Sequence, residues 1–111
     1  MIKKIINLTI YIFSGAFSLT INVPEDFLEI QDAIDFSQDG DTIFVSPGVY
    51  FENINFNGKS ILVSSNYIED NDSLLIGVTI IDAGNEGSVV TFNSGENNNA
   101  ILQGFTLQNG N

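Results

Sequence analysis

The apolar runs of this chain are uniformly short, and that constrains its fold more than any other feature. From Asp41 onward they read TIFV, NINF, SILV, VTII, SVVTF, AIL and FTL, each three to five residues long and set apart by Gly, Asn, Asp or Ser. Such runs predict β-strands joined by turns, because none carries the 3.6-residue period of a helix. One hairpin fits the sequence, NINF to SILV through Asn57-Gly58, the two-residue turn favoured between antiparallel strands. The other connections vary widely, from SSNYIEDNDSLLIG to NSGENNN, while the strands stay short. Uneven loops between uniform strands predict a solenoid, in which each turn of chain buries its apolar face by stacking on the next. SILV and SVVTF lie 28 residues apart, and VTIID and FTLQN 26 to 27, so about three turns are expected.

At 111 residues the chain forms one domain at most. It has no cysteine, which removes both a disulfide framework and a thiolate zinc site. Fourteen acidic residues against three lysines give a formal net charge of −11, a balance that excludes nucleic acid and anionic lipid as partners. The charge is uneven along the chain. Lys3 and Lys4 precede the apolar stretch IINLTIYIF, small residues follow at Ala16 and Ser18, and every acid lies at Glu25 or later. This order predicts a signal peptide over residues 1–18, cleaved after about Ser18, and hence a secreted or cell-surface protein. The stretch is shorter than the roughly 20 residues of a membrane span, so no membrane anchor is expected. The competing reading makes Leu8 to Phe13 a buried strand. Cleavage would leave Lys59 as the remaining cation and take the formal charge to −13.

Residues 19–40 are expected to hold a strand and one helix, and residues 41–111 the solenoid turns. Ile30, Ala33 and Ile34 follow the i, i+3, i+4 spacing of an apolar helix face, with Gln31, Asp32 and Asp35 opposite. The helix is predicted over Ile30 to Phe36, with Gly40 as its stop signal.

The order IQDAID, DGDTIFVSPGVYFENINF, KSILVSSN, VTIIDAG, SVVTF, LQGFTLQNG resembles the amino-terminal part of secreted right-handed parallel β-helix proteins of the pectin-lyase-like superfamily, from about Ile21 to Asn111. The resemblance implies an all-β right-handed parallel β-helix whose open end is capped by the IQDAID helix. That family usually places Thr or Ser before the Ile-Gln pair, where its hydroxyl caps the helix; this chain has Glu29. The stretch Gly48 to Glu52 also matches the GxYxE pattern of pectin methylesterases. The structural reading makes Pro47-Gly48 a type II turn corner, with Gly48 as its left-handed residue and Tyr50 and Glu52 as a coil side chain and a solvated face.

No catalytic, cofactor-binding or metal-binding residue is assigned. Lyases of this superfamily use an Arg or Lys base with Ca²⁺, and the mature chain offers Lys59 alone, expected to be a solvated charge beside Gly58. Glycoside hydrolysis needs two carboxylates at a defined separation. The densest acidic cluster, Glu69, Asp70 and Asp72, has oxygens suited to Ca²⁺ but lacks a liganding loop of known spacing. It is read as a solvated loop. Asn53, Asn55, Asn57, Asn93 and Asn97 to Asn99 are expected at strand ends and turns, where Asn tolerates left-handed geometry, and the resemblance implies that similar side chains stack as ladders between turns. The functional expectation is a noncatalytic surface scaffold, adhesin or glycan-binding module with polysaccharide or cell-surface glycan as partner. The alternative is the amino-terminal part of a carbohydrate-active enzyme (pectin methylesterase, polysaccharide lyase or glycoside hydrolase) whose active site lies downstream. Phe105 and Leu107 sit on a final strand with no cap after it, so the 111 residues are expected to be an incomplete β-helix that needs further turns of the same protein.

Overall fold

The computed structural model describes residues 17 to 111. The expected leader features at Lys3, Lys4, Leu8 to Phe13 and Ala16 lie outside the described residues.

Nine short strands and two short helices are joined by turns and loops in the described residues. In chain order they are β1 (Thr20–Val23), α1 (Ile30–Phe36), β2 (Thr42–Val45), β3 (Gly48–Phe51), β4 (Ile54–Asn55), β5 (Leu62–Ser65), α2 (Leu75–Val78), β6 (Thr79–Asp82), β7 (Val90–Thr91), β8 (Ile101–Gln103) and β9 (Thr106–Gln108). They form a four-stranded sheet, β1-β2-β5-β8, a three-stranded sheet, β3-β6-β9, and a two-stranded sheet, β4-β7. Every pairing among them is parallel. The regular structure of the described chain is thus mostly parallel strand with little helix.

Alternation along β1 and β2 sends one side chain in two to the core. Ile21, Ile43, Val63 and Leu102 are successive partners across the four-stranded sheet, and the first three are fully buried. Val23 and Val45 repeat the pattern two residues on. Ile54 and Phe56 from around β4 and Ile81 from β6 join the same cluster. Each such side chain contributes about 1.5–3 kcal/mol by leaving water.

Helix α1 has the expected bounds, and Ile30, Ala33 and Ile34 are its buried residues. It ends differently from the expectation. Ser37, in extended backbone, closes the helix by donating its N–H to the carbonyls of Ala33 and Ile34 and its hydroxyl to Ile34. Gly40 does have positive φ, +93°, but it lies beyond that cap and serves the turn into β2, where its N–H donates to the Ser60 carbonyl.

Other local expectations are corrected by the pairing. Asn57 and Gly58 both have positive φ, 53° and 83°, and Lys59 N–H donates to the Phe56 carbonyl at 3.0 Å, so the turn has the local form of a hairpin. No hairpin forms, because β4 pairs β7 while β5 pairs β2 and β8. SVVTF stands beside NINF, not SILV: Ile54 is opposite Val90, and Leu62 is opposite Ile101. The VTIID-to-FTLQN spacing matches an observed register, Ile80 to Thr106. Gly48, expected to be the left-handed corner of a type II turn, opens β3 at φ +157°, far from the +80° or so of that turn. Helix α2 was not expected after Asp41. It is a single turn, with Leu75, Ile76 and Gly77 each donating to a carbonyl three residues back, and is too short to leave a period in the sequence.

Candidate functional site

The most connected polar group of side chains surrounds α1, and it is built from residues distant in sequence. Glu29, the residue at the helix start, makes no capping bond. The Glu52 carboxylate, arriving from the end of β3, takes that place: Oε2 accepts from Ile30 N–H at 2.8 Å and Oε1 from Gln31 N–H at 2.9 Å. At the other end Lys59 Nζ donates to the carbonyls of Ile34, Asp35 and Ser37 at 2.6, 2.8 and 2.7 Å. Negative charge thus meets the positive end of the helix and positive charge its negative end. Both residues had been read as solvated, and both are structural caps instead. The signal in the sequence was indirect: an apolar helix with no Ser, Thr, Asp or Asn before Ile30 needs its cap from elsewhere.

Gln31 completes the contact. At β4 and the residue after it, Ile54 N–H donates to Val89 O and Phe56 N–H to Thr91 O, towards β7, which leaves the N–H and carbonyl of Asn55 facing the opposite way. The Gln31 amide meets both, its Oε1 accepting from Asn55 N–H at 2.7 Å and its Nε2 donating to Asn55 O at 3.1 Å.

Burial pushes the Glu52 carboxyl above its ordinary value, against the lowering effect of the Ile30 and Gln31 N–H groups and together with repulsion from Glu29 and Asp32. Tyr50, two residues back, donates its hydroxyl to Ser46 O at 2.8 Å. Burial raises its pKa, as do the charges of Glu25 and Glu52. In the GxYxE stretch the Tyr50 ring lies 3.5 Å from where a Cβ of residue 48 would stand, Tyr50 closes the corner, and Glu52 caps α1.

The remaining shifted groups have the same occupation. Asp82 accepts from Gln108 Nε2 and Asn109 Nδ2 on Oδ2 and from Gly84 N–H on Oδ1. The Gln108 amide, then the Gly84 N–H, holds its carboxyl below the ordinary value. Glu96 accepts from Ser94 N–H and Gly58 N–H, each at 2.8 Å, and these bonds lower its pKa in that order. A shallow groove of about 470 Å³ is lined by Asp39, Asp41, Thr42, Ser60 and Asn99. Its acids are also engaged, Asp39 by Ser60 N–H and Asp41 by the N–H groups of Leu19 and Gln38.

Among the described residues no three His, Cys, Asp or Glu side chains stand together as metal ligands. Glu69, Asp70 and Asp72 lie on an exposed loop where Asp72 Oδ1 accepts from Leu74 N–H. Of the asparagines expected at turns, Asn57 alone has positive φ, and Asn53 donates to the backbone carbonyls of Glu86 and Ser88 instead of stacking on another asparagine. No buried polar side-chain atom among the described residues lacks a hydrogen-bond partner. No helix among them is long and apolar enough to cross a membrane. Compared with protein-family models, curated proteins and solved structures, the chain matches none.

Proposed function

We propose that this chain is part of a right-handed parallel β-helix, exported to the cell surface or medium, that acts as a noncatalytic scaffold or glycan-binding module. The fold reading is supported by the order in which the chain visits its sheets. After β1 and β2 in the four-stranded sheet, the strands go to the three-stranded, two-stranded and four-stranded sheets in rotation, from β3 through β9. A chain that returns to each sheet in parallel after visiting the others is winding around a common core, and parallel crossovers within one sheet are right-handed in about 98% of cases.

One observation carries the noncatalytic reading: the carboxylates with displaced pKa values, Glu52, Asp82 and Glu96, each have both oxygens occupied by N–H donors of this chain. Acid-base chemistry needs at least one carboxyl oxygen facing substrate, and these face backbone N–H groups or, for Asp82 Oδ2, the side-chain amides of Gln108 and Asn109. Polysaccharide or cell-surface glycan enters as the partner implied by the β-helix reading, not by the charge, which is −11 and favours no polyanion.

The test is to incubate the purified soluble protein with pectin, polygalacturonate and other plant and algal polysaccharides in the presence of Ca²⁺, following retention on the insoluble polymer and release of reducing or unsaturated ends. Retention without product supports the binding module, and neither supports the plain scaffold. Product formation that is lost on Glu52→Gln or Asp82→Asn substitution in a folded protein overturns the noncatalytic reading.

A further inference from the structure

The turn that carries Lys59 to the carboxyl end of α1 is an Asn-Gly pair, and Asn-Gly is the dipeptide most prone to spontaneous loss of its side-chain amide. The reaction begins when the glycine backbone nitrogen attacks the asparagine Cγ. That nitrogen must give up its proton, and no Cβ stands in its way. Here the attacking atom is occupied. Gly58 N–H donates to Glu96 Oε2 at 2.8 Å, and the Ser94 carbonyl lies 3.0 Å from where a Cβ of residue 58 would be. The Asn57 side chain itself is exposed.

We infer that Asn57 is a latent deamidation site held shut by Glu96. The carboxylate acts twice on the first step, since its hydrogen bond must break before the nitrogen can turn towards Cγ, and its negative charge opposes a second negative charge on that nitrogen. With the bond released, the Gly58 N–Cγ bond of a five-membered succinimide forms, the Cγ–Nδ2 bond breaks and ammonia leaves with the amide proton. Water then opens the ring at either carbonyl, giving aspartate or isoaspartate at this position. Each product adds a negative charge beside Glu96, and isoaspartate lengthens the backbone of a turn whose closing bond, Lys59 N–H to Phe56 O, positions the helix cap. The gate therefore protects the attachment of α1 as well as one side chain.

The chain supplies its own comparison in Asn109-Gly110, an Asn-Gly pair whose asparagine is held by Asp82 and whose described contacts do not include Glu96. The experiment incubates the folded wild-type protein, Glu96→Gln and Glu96→Ala at 37 °C in mildly alkaline buffer, and measures the mass gain at each site by peptide mass spectrometry, with the wild-type chain in urea as the unprotected reference. Folded wild type should convert Asn57 roughly tenfold or more slowly than the urea-unfolded chain, the factor expected for one charge-assisted hydrogen bond. Glu96→Ala should recover most of that factor at Asn57 and leave Asn109 unchanged. If the alanine variant loses its circular dichroism signature, the glutamine variant decides, since it keeps an acceptor but not the charge and should show a smaller acceleration at Asn57 alone. Wild-type kinetics at Asn57 in a folded variant, or equal acceleration at both sites in one, overturns the inference.

Discussion

Glu52 and Lys59 hold opposite ends of the same helix, although neither belongs to it. The carboxylate accepts the N–H groups of Ile30 and Gln31, and the ammonium donates to the carbonyls of Ile34, Asp35 and Ser37. A seven-residue helix is too short to persist in water by its own propensity, so these caps and the buried face of Ile30, Ala33 and Ile34 must supply its stability.

Removing either cap should therefore loosen α1. Glu52→Ala leaves two helix N–H groups without their acceptor and should cost about 0.5–2 kcal/mol, the range measured for lost amino-terminal caps. Lys59→Met keeps the length and the apolar stem but strands three carbonyls, and should cost about 1–3 kcal/mol. Urea denaturation followed by circular dichroism measures both losses. Amide exchange should quicken first within Ile30 to Phe36, before the strands respond.

Gly104 is predicted to tolerate no side chain. Its φ is +81°, and a Cβ there would collide with the edge of the Tyr67 ring and with Ser65 Oγ. Gly104→Ala combines left-handed strain with overpacking and should destabilise by about 2–4 kcal/mol. Adding Tyr67→Ala should return part of that loss by relieving the ring collision but neither the Ser65 Oγ contact nor the backbone strain. No recovery in the double variant would assign the cost to the backbone and the Ser65 contact together.

Acid should weaken the fold through Asp82 and Glu96. Both carboxyls lie below their ordinary values, 3.8 and 4.5, so between the folded and unfolded pKa values the folded chain binds fewer protons. Their contribution is complete above the ordinary values and disappears as pH falls through the folded ones. Glu52 has the opposite sign: with its pKa raised above 4.5, its contribution is complete below 4.5 and is lost as pH rises through the folded value. The melting-temperature gap between wild type and Asp82→Asn should be widest at neutral pH and narrow as the pH falls below 3.8. The gap between wild type and Glu52→Gln should be wider near pH 4 than at neutral pH.

The inner column of the four-stranded sheet offers a test of packing. Ile43 is fully buried between its neighbours Ile21 and Val63, so Ile43→Ala should cost about 2–5 kcal/mol in urea denaturation. Ile43→Val removes one methylene and should cost about 0.5–1.5 kcal/mol.

The strands and α1 were legible because burial leaves a short-range pattern: alternation in TIFV, and i, i+3, i+4 spacing in Ile30, Ala33 and Ile34. Strand partners were only partly legible. The β5-to-β8 step is nearly twice the β2-to-β5 step, Leu62 to Ile101 against Thr42 to Leu62, since the loops between them absorb extra residues, and a fixed spacing mispaired SILV with SVVTF. Asn57-Gly58 likewise set the turn geometry without setting the partner, because the inward placement of Ile54, Phe56 and Ile61 fixes which sheet each flanking strand joins. The caps at Glu52 and Lys59 left no local mark. Each is more than twenty residues from the groups it caps, and nothing in GVYFE or NGK distinguishes a capping side chain from a solvated one.

Gln31 gives the sheet edge a direction. In a strand, alternate residues turn their backbone groups to opposite sides, and on the far side of β4 the outward pair belongs to Asn55. A foreign strand seeking to dock there would find its hydrogen bonds already made by a side chain that imitates a peptide unit. Lateral recruitment at β4 is thus blocked on the helix side without a proline, a bulge or a charge pointing inward. A Gln31→Ala chain would keep its core, yet expose a two-bond template where the wild-type molecule presents none.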